Sequence, residues 1–319
     1  MFAPHFTKKM KNKLFWMLFL FIINCQTIHS VSFLGSGTEQ DPYQLSTLAH
    51  LEELSDSLIW GGKILTNKYY NKHYILMNDI TDTLRVCLGH GDGGPKGTSF
   101  AGVFDGQGYS ITLGLDSCPP HDHTRVALFP ILQGNFVIKN LTVNGYVNGA
   151  LAAGIVASVG VNSFSSVITN GRIINCANNS KIISAVSAGG IAGEIAGAIV
   201  TIENCINLSE VQNNNYLAEM KAAGGIVGNI ATSFNQKEIT ILNCINYGFV
   251  KSDNLAGGIL GGCYEYFYKY NLILENNFNS GVVIGGSKTG CITSCIPTGK
   301  FIITVINNHY DKQMCGEED

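Results

Sequence analysis

The sequence predicts an all-β protein: a right-handed parallel β-helix, or solenoid, with a capping helix at its N-terminal end. Three observations point there. A segment of the form Ile-x-Asn-Cys-x-Asn, followed by Ala-Gly-Gly-Ile-x-Gly, returns along the second half of the chain. Each apolar run is short, β-branched and bounded by Gly or Asn, whereas helical repeats need longer runs free of glycine. The composition agrees, with 37 Gly, 7 Pro and only 13% charged residues in 319, against about 25% charged in ordinary domains.

Residues 1–30 read as a signal peptide. Lys8, Lys9, Lys11 and Lys13 precede the apolar run from Leu14 to Ile23, which has secretory length and falls short of the roughly 20 residues of a membrane span. Met10 offers an alternative start, and cleavage after Ser30 is expected. Cys25 stands where a lipidated cysteine would, although Asn24 replaces the usual small residue before it. Free secretion and membrane attachment through an N-terminal lipid both stay open. The chain is therefore expected outside the cytoplasm, secreted or at the cell surface or outer membrane. A net charge of −3 gives no basic footprint for nucleic acid.

Residues 31–72 form a turn-rich lead-in and one helix. Across Ser46–Leu58, the residues Leu48, Leu51, Leu54 and Leu58 make a single apolar stripe. Ser46 or Thr47 serves as N-cap and Gly61-Gly62 as stop. Such a helix would cover the open end of the first coil, where a bare sheet edge invites pairing with other chains.

Residues 73–319 carry the β-helix repeats. Tyr74–Ile80 is expected as the first strand, Cys87–Ser99 as a glycine-rich loop, and Phe100–Leu113 as two strands about the turn Asp105-Gly-Gln-Gly108. The leading asparagine of the repeat falls at Asn175, Asn204, Asn243, Asn276 and Asn307, between 29 and 39 residues apart. Units of this length cannot bury a core alone, so they stack. Stacking puts Asn on Asn at a left-handed turn, Ile on Ile inside, and Cys176, Cys205 and Cys244 on one another. In-register cysteines rarely offer disulfide geometry. Cys291 with Cys295 and Cys87 with Cys118 remain available, with connectivity open. The Gly-Gly pairs are expected to supply sharp bends.

At these residues the chain resembles a known group. Gly35–Tyr43, Tyr74–Ile80 and Phe104–Gly108 look like the cap and first coils of surface β-helix proteins of the Bacteroidetes type. Segments such as Gly224-Gly-Ile-Val-Gly228 look like the GLUG repeats of bacterial adhesins. The resemblance implies export and an adhesive role. In such proteins further coils or domains usually follow, so the segment Asp311–Asp319, which has no closing helix, reads as the end of a shortened product.

Candidate chemistry is sparse. His121 and His123, with Cys118, His90 and Asp92, lack the paired spacing of a closed metal site. Asp92, Asp105 and Asp116 lack calcium-repeat spacing and read as turn formers. Glu194, Glu203 and Glu210 do not recur as an acid pair, and Lys251 with Asp253 reads as a solvated turn, so no catalytic residue is assigned. No metal or cofactor is implied. Asn140, Asn178 and Asn207 begin glycosylation sequons that matter only in a eukaryote. The run Tyr264-Glu-Tyr-Phe-Tyr-Lys-Tyr270 is the candidate binding patch, with Tyr264, Tyr266, Tyr268 and Tyr270 on one face of a strand if it alternates, and core packing as the duller reading. The expected function is a non-catalytic surface module that binds a host or bacterial glycan or protein. A polysaccharide lyase or hydrolase on the same fold, or a spacer in a larger surface protein, are the alternatives.

Overall fold

The computed structural model describes residues 33–60, 68–89, 99–116, 125–160, 169–214, 221–231, 237–264, 270–295 and 301–315. All of them belong to one compact unit that begins at Phe33. The expected signal peptide, residues 1–30, lies outside the described residues.

The unit is a parallel β-solenoid whose coils contribute to three sheets. The first sheet has nine strands, from Tyr43–Leu45 through His73–Leu76, Val103–Asp105 and Asn135–Lys139 to Phe301–Ile306, each paired in parallel with the strand one coil away. The second has fifteen strands, including the long Thr142–Ala153 and Ala177–Gly189, and the third has five, from Phe129–Leu132 to Leu260–Tyr264. Alternation drives burial: along Ser110–Asp116 every second side chain is buried, so the period-2 pattern selects one inward face.

Register turns the repeat into columns. In the first sheet Tyr74, Phe104, Ile138, Ile173, Ile202, Ile241 and Leu274 align strand by strand, and all are buried. Each such side chain contributes about 1.5–3 kcal/mol from the area it withdraws from water. Val305 continues the column but is 56% exposed, because its strand has a neighbour on one side only among the described residues. Toward the other end the core becomes aromatic: Phe33, Tyr43, Tyr74, Phe100 and Phe129 follow one another with ring centroids 5.0–5.8 Å apart.

Helix α1 spans Leu48–Trp60. Thr47 Oγ1 accepts from His50 N at 3.2 Å, and His50 Nδ1 accepts from Ser46 N at 3.1 Å, a reciprocal cap on two free backbone donors. Leu51, Leu54 and Leu58 are buried. The helix packs on the strand Ile80–Leu84 and Ser55 Oγ donates to Cys87 O, so it covers the outermost strand of the second sheet. The expected strand Tyr74–Ile80 is corrected. The chain turns after Leu76, and His73–Leu76 and Ile80–Leu84 belong to different sheets.

From Gln107 onward, the corner between the first two sheets is a left-handed turn on each described coil. Asn140, Asn175, Asn204, Asn243, Asn276 and Asn307 have φ of 49–53° or, for Asn204, 54°, and Gln107 shares the conformation. Asparagine tolerates this region better than other side chains. Three residues on lies a second column that is fully buried: Asn178, Asn207, Asn246 and Asn279. Asn178, Asn207 and Asn246 each donate one hydrogen to the next amide, at 2.8, 2.8 and 2.7 Å, and the other to the carbonyl two residues ahead in their own coil. The expectation of amide bonded on amide therefore holds for Asn175 on Asn140, at 3.1 Å, but the continuous ladder is the inner column.

The Gly-Gly pairs 189–190, 224–225 and 257–258 sit at bends where the chain passes from the second sheet to the third, as expected, and they also permit close approach. None has positive φ. A Cβ on Gly190, Gly225 or Gly258 would lie 2.1–2.2 Å from a carbonyl oxygen of the next coil and 2.3–2.7 Å from the inner asparagine amide. The asparagine column thus leaves no room for a side chain opposite it.

Cys176, Cys205 and Cys244 stack as buried thiols, as expected. Each donates to the carbonyl two residues back, at 3.4, 3.4 and 3.3 Å. Burial holds the thiols of Cys176 and Cys244 well above the ordinary range. Of the pairings left open, Cys291–Cys295 does not form: Cys295 is bonded to Cys263, with Cα atoms 5.3 Å apart, and Cys291 is a buried thiol. The bond staples the coil that carries Cys295 to the one before it, beside the bridge Leu260–Thr293. Cys118 lies outside the described residues.

Candidate functional site

A groove of about 630 Å³ crosses the outer face of the first sheet near the N-terminal end, inside the roughly 300–1,000 Å³ range of small-ligand sites. Its floor is formed by Ile75, Val103 and Val137, half-buried side chains on three successive strands. His73 shares a column with Val103 and Val137, while Ile75 shares one with Asp105 and Lys139. Two further side chains line it with large exposed apolar surface, Met77 at 43% and Tyr109 at 36%.

One wall is the lead-in, carrying Glu39 and Pro42. It is a constructed turn. The N–H groups of Ser36, Gly37 and Thr38 converge on Asp41 O at 2.9–3.2 Å, and His73 N donates to Gly37 O at 3.1 Å. Gly35 takes φ +99°, and a Cβ there would lie 2.1 Å from Pro42 O, so only glycine closes the turn. Gln107 and Tyr109 come from the left-handed corner on the opposite side of the strand.

Asp105 sits in the groove with its oxygens engaged. Oδ1 accepts from Gln107 N at 2.9 Å and Asn140 Nδ2 at 3.0 Å, and Oδ2 pairs with Lys139 Nζ at 3.1 Å. Burial would raise its pKa, but these donors together hold the carboxyl below the usual range. It anchors the turn, in agreement with its reading as a turn former. Asp116 likewise accepts from Asn148 Nδ2 of the next coil, at 2.8 Å.

The other acids are dispersed. Glu203 pairs with Arg172 at 3.0 Å and Glu210 with Lys181 at 2.6 Å, each bridging adjacent coils. Glu194 lies on the third sheet, in register with Ser158 and Asn229. Burial raises its pKa, while the charge of Arg125 and a hydrogen bond from Asn229 oppose the rise. Lys251 and Asp253 are exposed on the second sheet side.

The tyrosine run does not form one strand. Tyr264 ends a strand of the third sheet and Tyr270 begins one of the first, so strand alternation does not carry across it. Tyr264 donates from its hydroxyl to Lys221 O of the preceding coil at 3.1 Å, which ties it to the stack. Tyr266 and Tyr268 lie outside the described residues, as do His90, Asp92, Cys118, His121 and His123. Asn178 and Asn207, the second and third sequon asparagines, are buried in the inner ladder. Sequence reasoning missed the groove because its wall, at Glu39 and Pro42, and its floor, at Ile75, Val103 and Val137, are far apart in the chain. The signal present was the glycine pair Gly35 and Gly37 before Tyr43.

No protein-family profile matches the chain. It is similar to two curated proteins. One, named "Putative Gly-rich membrane protein", from Evansella cellulosilytica, is 29% identical over 43% of this chain and 15% of the relative. The other, Halomucin of Haloquadratum walsbyi, is 25% identical over 53% of this chain and 2% of the relative. The chain thus spans a small part of the length of the curated relatives it matches. Among solved structures, one described as a "putative immunoglobulin A1 protease" from Bacteroides ovatus superposes with a TM-score of 0.68 at 22% identity, covering 86% of this chain and 77% of that one. At that identity the likeness concerns the fold.

Proposed function

We propose that the chain is a non-catalytic extracellular binding module, a rigid solenoid that presents its outer face to a partner at a cell surface. The observation that carries this reading is the division of labour among polar groups. The inner asparagines bond coil to coil, Glu203 and Glu210 pair with basic side chains of adjacent coils, and Asp105 is saturated by its donors. What is left facing solvent beside them is a preformed groove with apolar floor and polar rim. The Cys263–Cys295 bond supports an oxidising compartment, and one of the two curated relatives is named a membrane protein.

The test is binding of the purified chain to immobilised glycan and protein arrays and to fixed bacterial and epithelial cells. Saturable binding without turnover is expected. Release of reducing ends or unsaturated sugars from a panel of neutral and acidic polysaccharides would replace this reading with an enzymatic one.

A further inference from the structure

Resting on that reading, we infer that the groove on the first sheet is a binding site for a short stretch of neutral oligosaccharide. Three features of the groove select this class.

The first is its amphipathic build. Ile75, Val103 and Val137 make an apolar floor, and the exposed Tyr109 ring supplies a flat surface with a polar tip. Around them stand Glu39, His73 and Gln107, side chains that donate or accept hydrogen bonds. A sugar ring has the matching halves, a C–H face for the floor and ring, and hydroxyls for the rim. The floor strands are about 4.8 Å apart, so a ligand lying across them meets one coil after another in equal steps.

The second is charge. Lys139 is held by Asp105 at 3.1 Å, and Glu39 adds a further carboxylate. The lining is net negative and disfavours uronate or sulfated chains.

The third is the backbone. His73–Leu76 and Val103–Asp105 are internal strands, paired on both sides. They offer no free N–H or C=O row to an extended peptide, which normally binds by adding a strand to an edge. The anchored lead-in turn means the groove stands open before any ligand arrives, so little ordering is required on binding.

The experiment is titration calorimetry of the full chain with maltohexaose, cellohexaose, xylohexaose, mannohexaose and chitohexaose, with oligogalacturonate and oligolysine as charged comparators. At least one neutral hexaose should bind saturably, and Tyr109→Ala should weaken it on the order of tenfold, with Tyr109→Phe retaining most of the affinity. Tyr109 is exposed, so an unchanged melting temperature in both variants is expected to show that the fold persists. Binding that is equal in wild type and Tyr109→Ala, or absent for every neutral hexaose, overturns the assignment. Oligolysine binding lost in Glu39→Gln would point instead to a basic peptide and also overturn it. If cell or array binding survives in Tyr109→Ala, the binding-module reading stands and the groove assignment alone fails.

Discussion

Asn207 donates to Asn246 across 2.8 Å while accepting from Asn178 at 2.8 Å, and its second hydrogen goes to Ser209 O in its own coil. A side chain with no solvent exposure thus has its polar atoms matched by the coil above, the coil below and its own turn. A buried amide stabilises the fold only when satisfied in this way, because an unmatched one costs the full desolvation of its donors and acceptor.

Replacing Asn207 with Ala should therefore destabilise by about 2–4 kcal/mol, since it orphans a donor on Asn178 and an acceptor on Asn246. Asn204, three residues earlier, should behave differently. Its demand is conformational, at φ 54°, so Asn204→Ala should cost about 1–2 kcal/mol and Asn204→Gly much less. Urea unfolding of the three variants separates the two roles.

Gly225→Ala should prevent folding or lower stability severely. The added Cβ would lie 2.2 Å from Gly258 O and 2.3 Å from Asn246 Cγ, on a backbone that neighbours on both sides hold in place. At Gly108 nothing lies within 4 Å, and only the φ of +86° is strained, so Gly108→Ala should cost about 1 kcal/mol. Soluble yield and melting temperature report the contrast.

Reduction of Cys263–Cys295, which closes a span of 32 residues, should lower stability by about 3–4 kcal/mol if loop entropy dominates. The terminal coil should loosen first, seen as faster amide exchange in Phe301–Ile306 than in Ala198–Glu203. Alkylation of the native protein followed by mass spectrometry should leave Cys176, Cys205 and Cys244 unmodified until the stack unfolds, because all three are buried.

Two carboxyls should give opposite pH signatures. The folded-state pKa of Asp105 is depressed, so its contribution is present above the unfolded pKa and disappears as pH falls through the folded value. Glu194 is raised, so its contribution is present below the unfolded pKa and is lost as pH rises. Melting curves should show Asp105→Asn most harmful near neutral pH and converging with wild type in acid. Glu194→Gln should raise the melting temperature more at pH 8 than at pH 4.

The fold was legible because the repeat states its own stacking. Cys176, Cys205 and Cys244 shared a slot before any coordinates, and their columns follow from it. Which asparagine was buried was not legible, since Asn175 and Asn178 look alike in sequence and differ only in facing the corner or the core. The bend at Gly190 was readable from the sequence, but the close approach of Asn207 and Gly225 one coil away was not. Cys263 was hidden as a disulfide partner because its mate, Cys295, lies one coil on and 32 residues away in sequence. The groove required the lead-in turn at Gly35–Asp41 to be placed against the first sheet, a long-range contact with no periodic signature.

The most direct measurement is double electron–electron resonance between nitroxides introduced by non-cysteine chemistry at outward positions of one first-sheet column. Gln44 and Glu275 are seven strands apart along that column and Lys139 and Glu275 four. At about 4.8 Å per coil, backbone separations of about 34 Å and about 19 Å are expected, broadened by the labels. Distances that grow in proportion to the number of intervening coils would match the stacked account. Two similar distances, or a shorter one for the Gln44 pair, would contradict it.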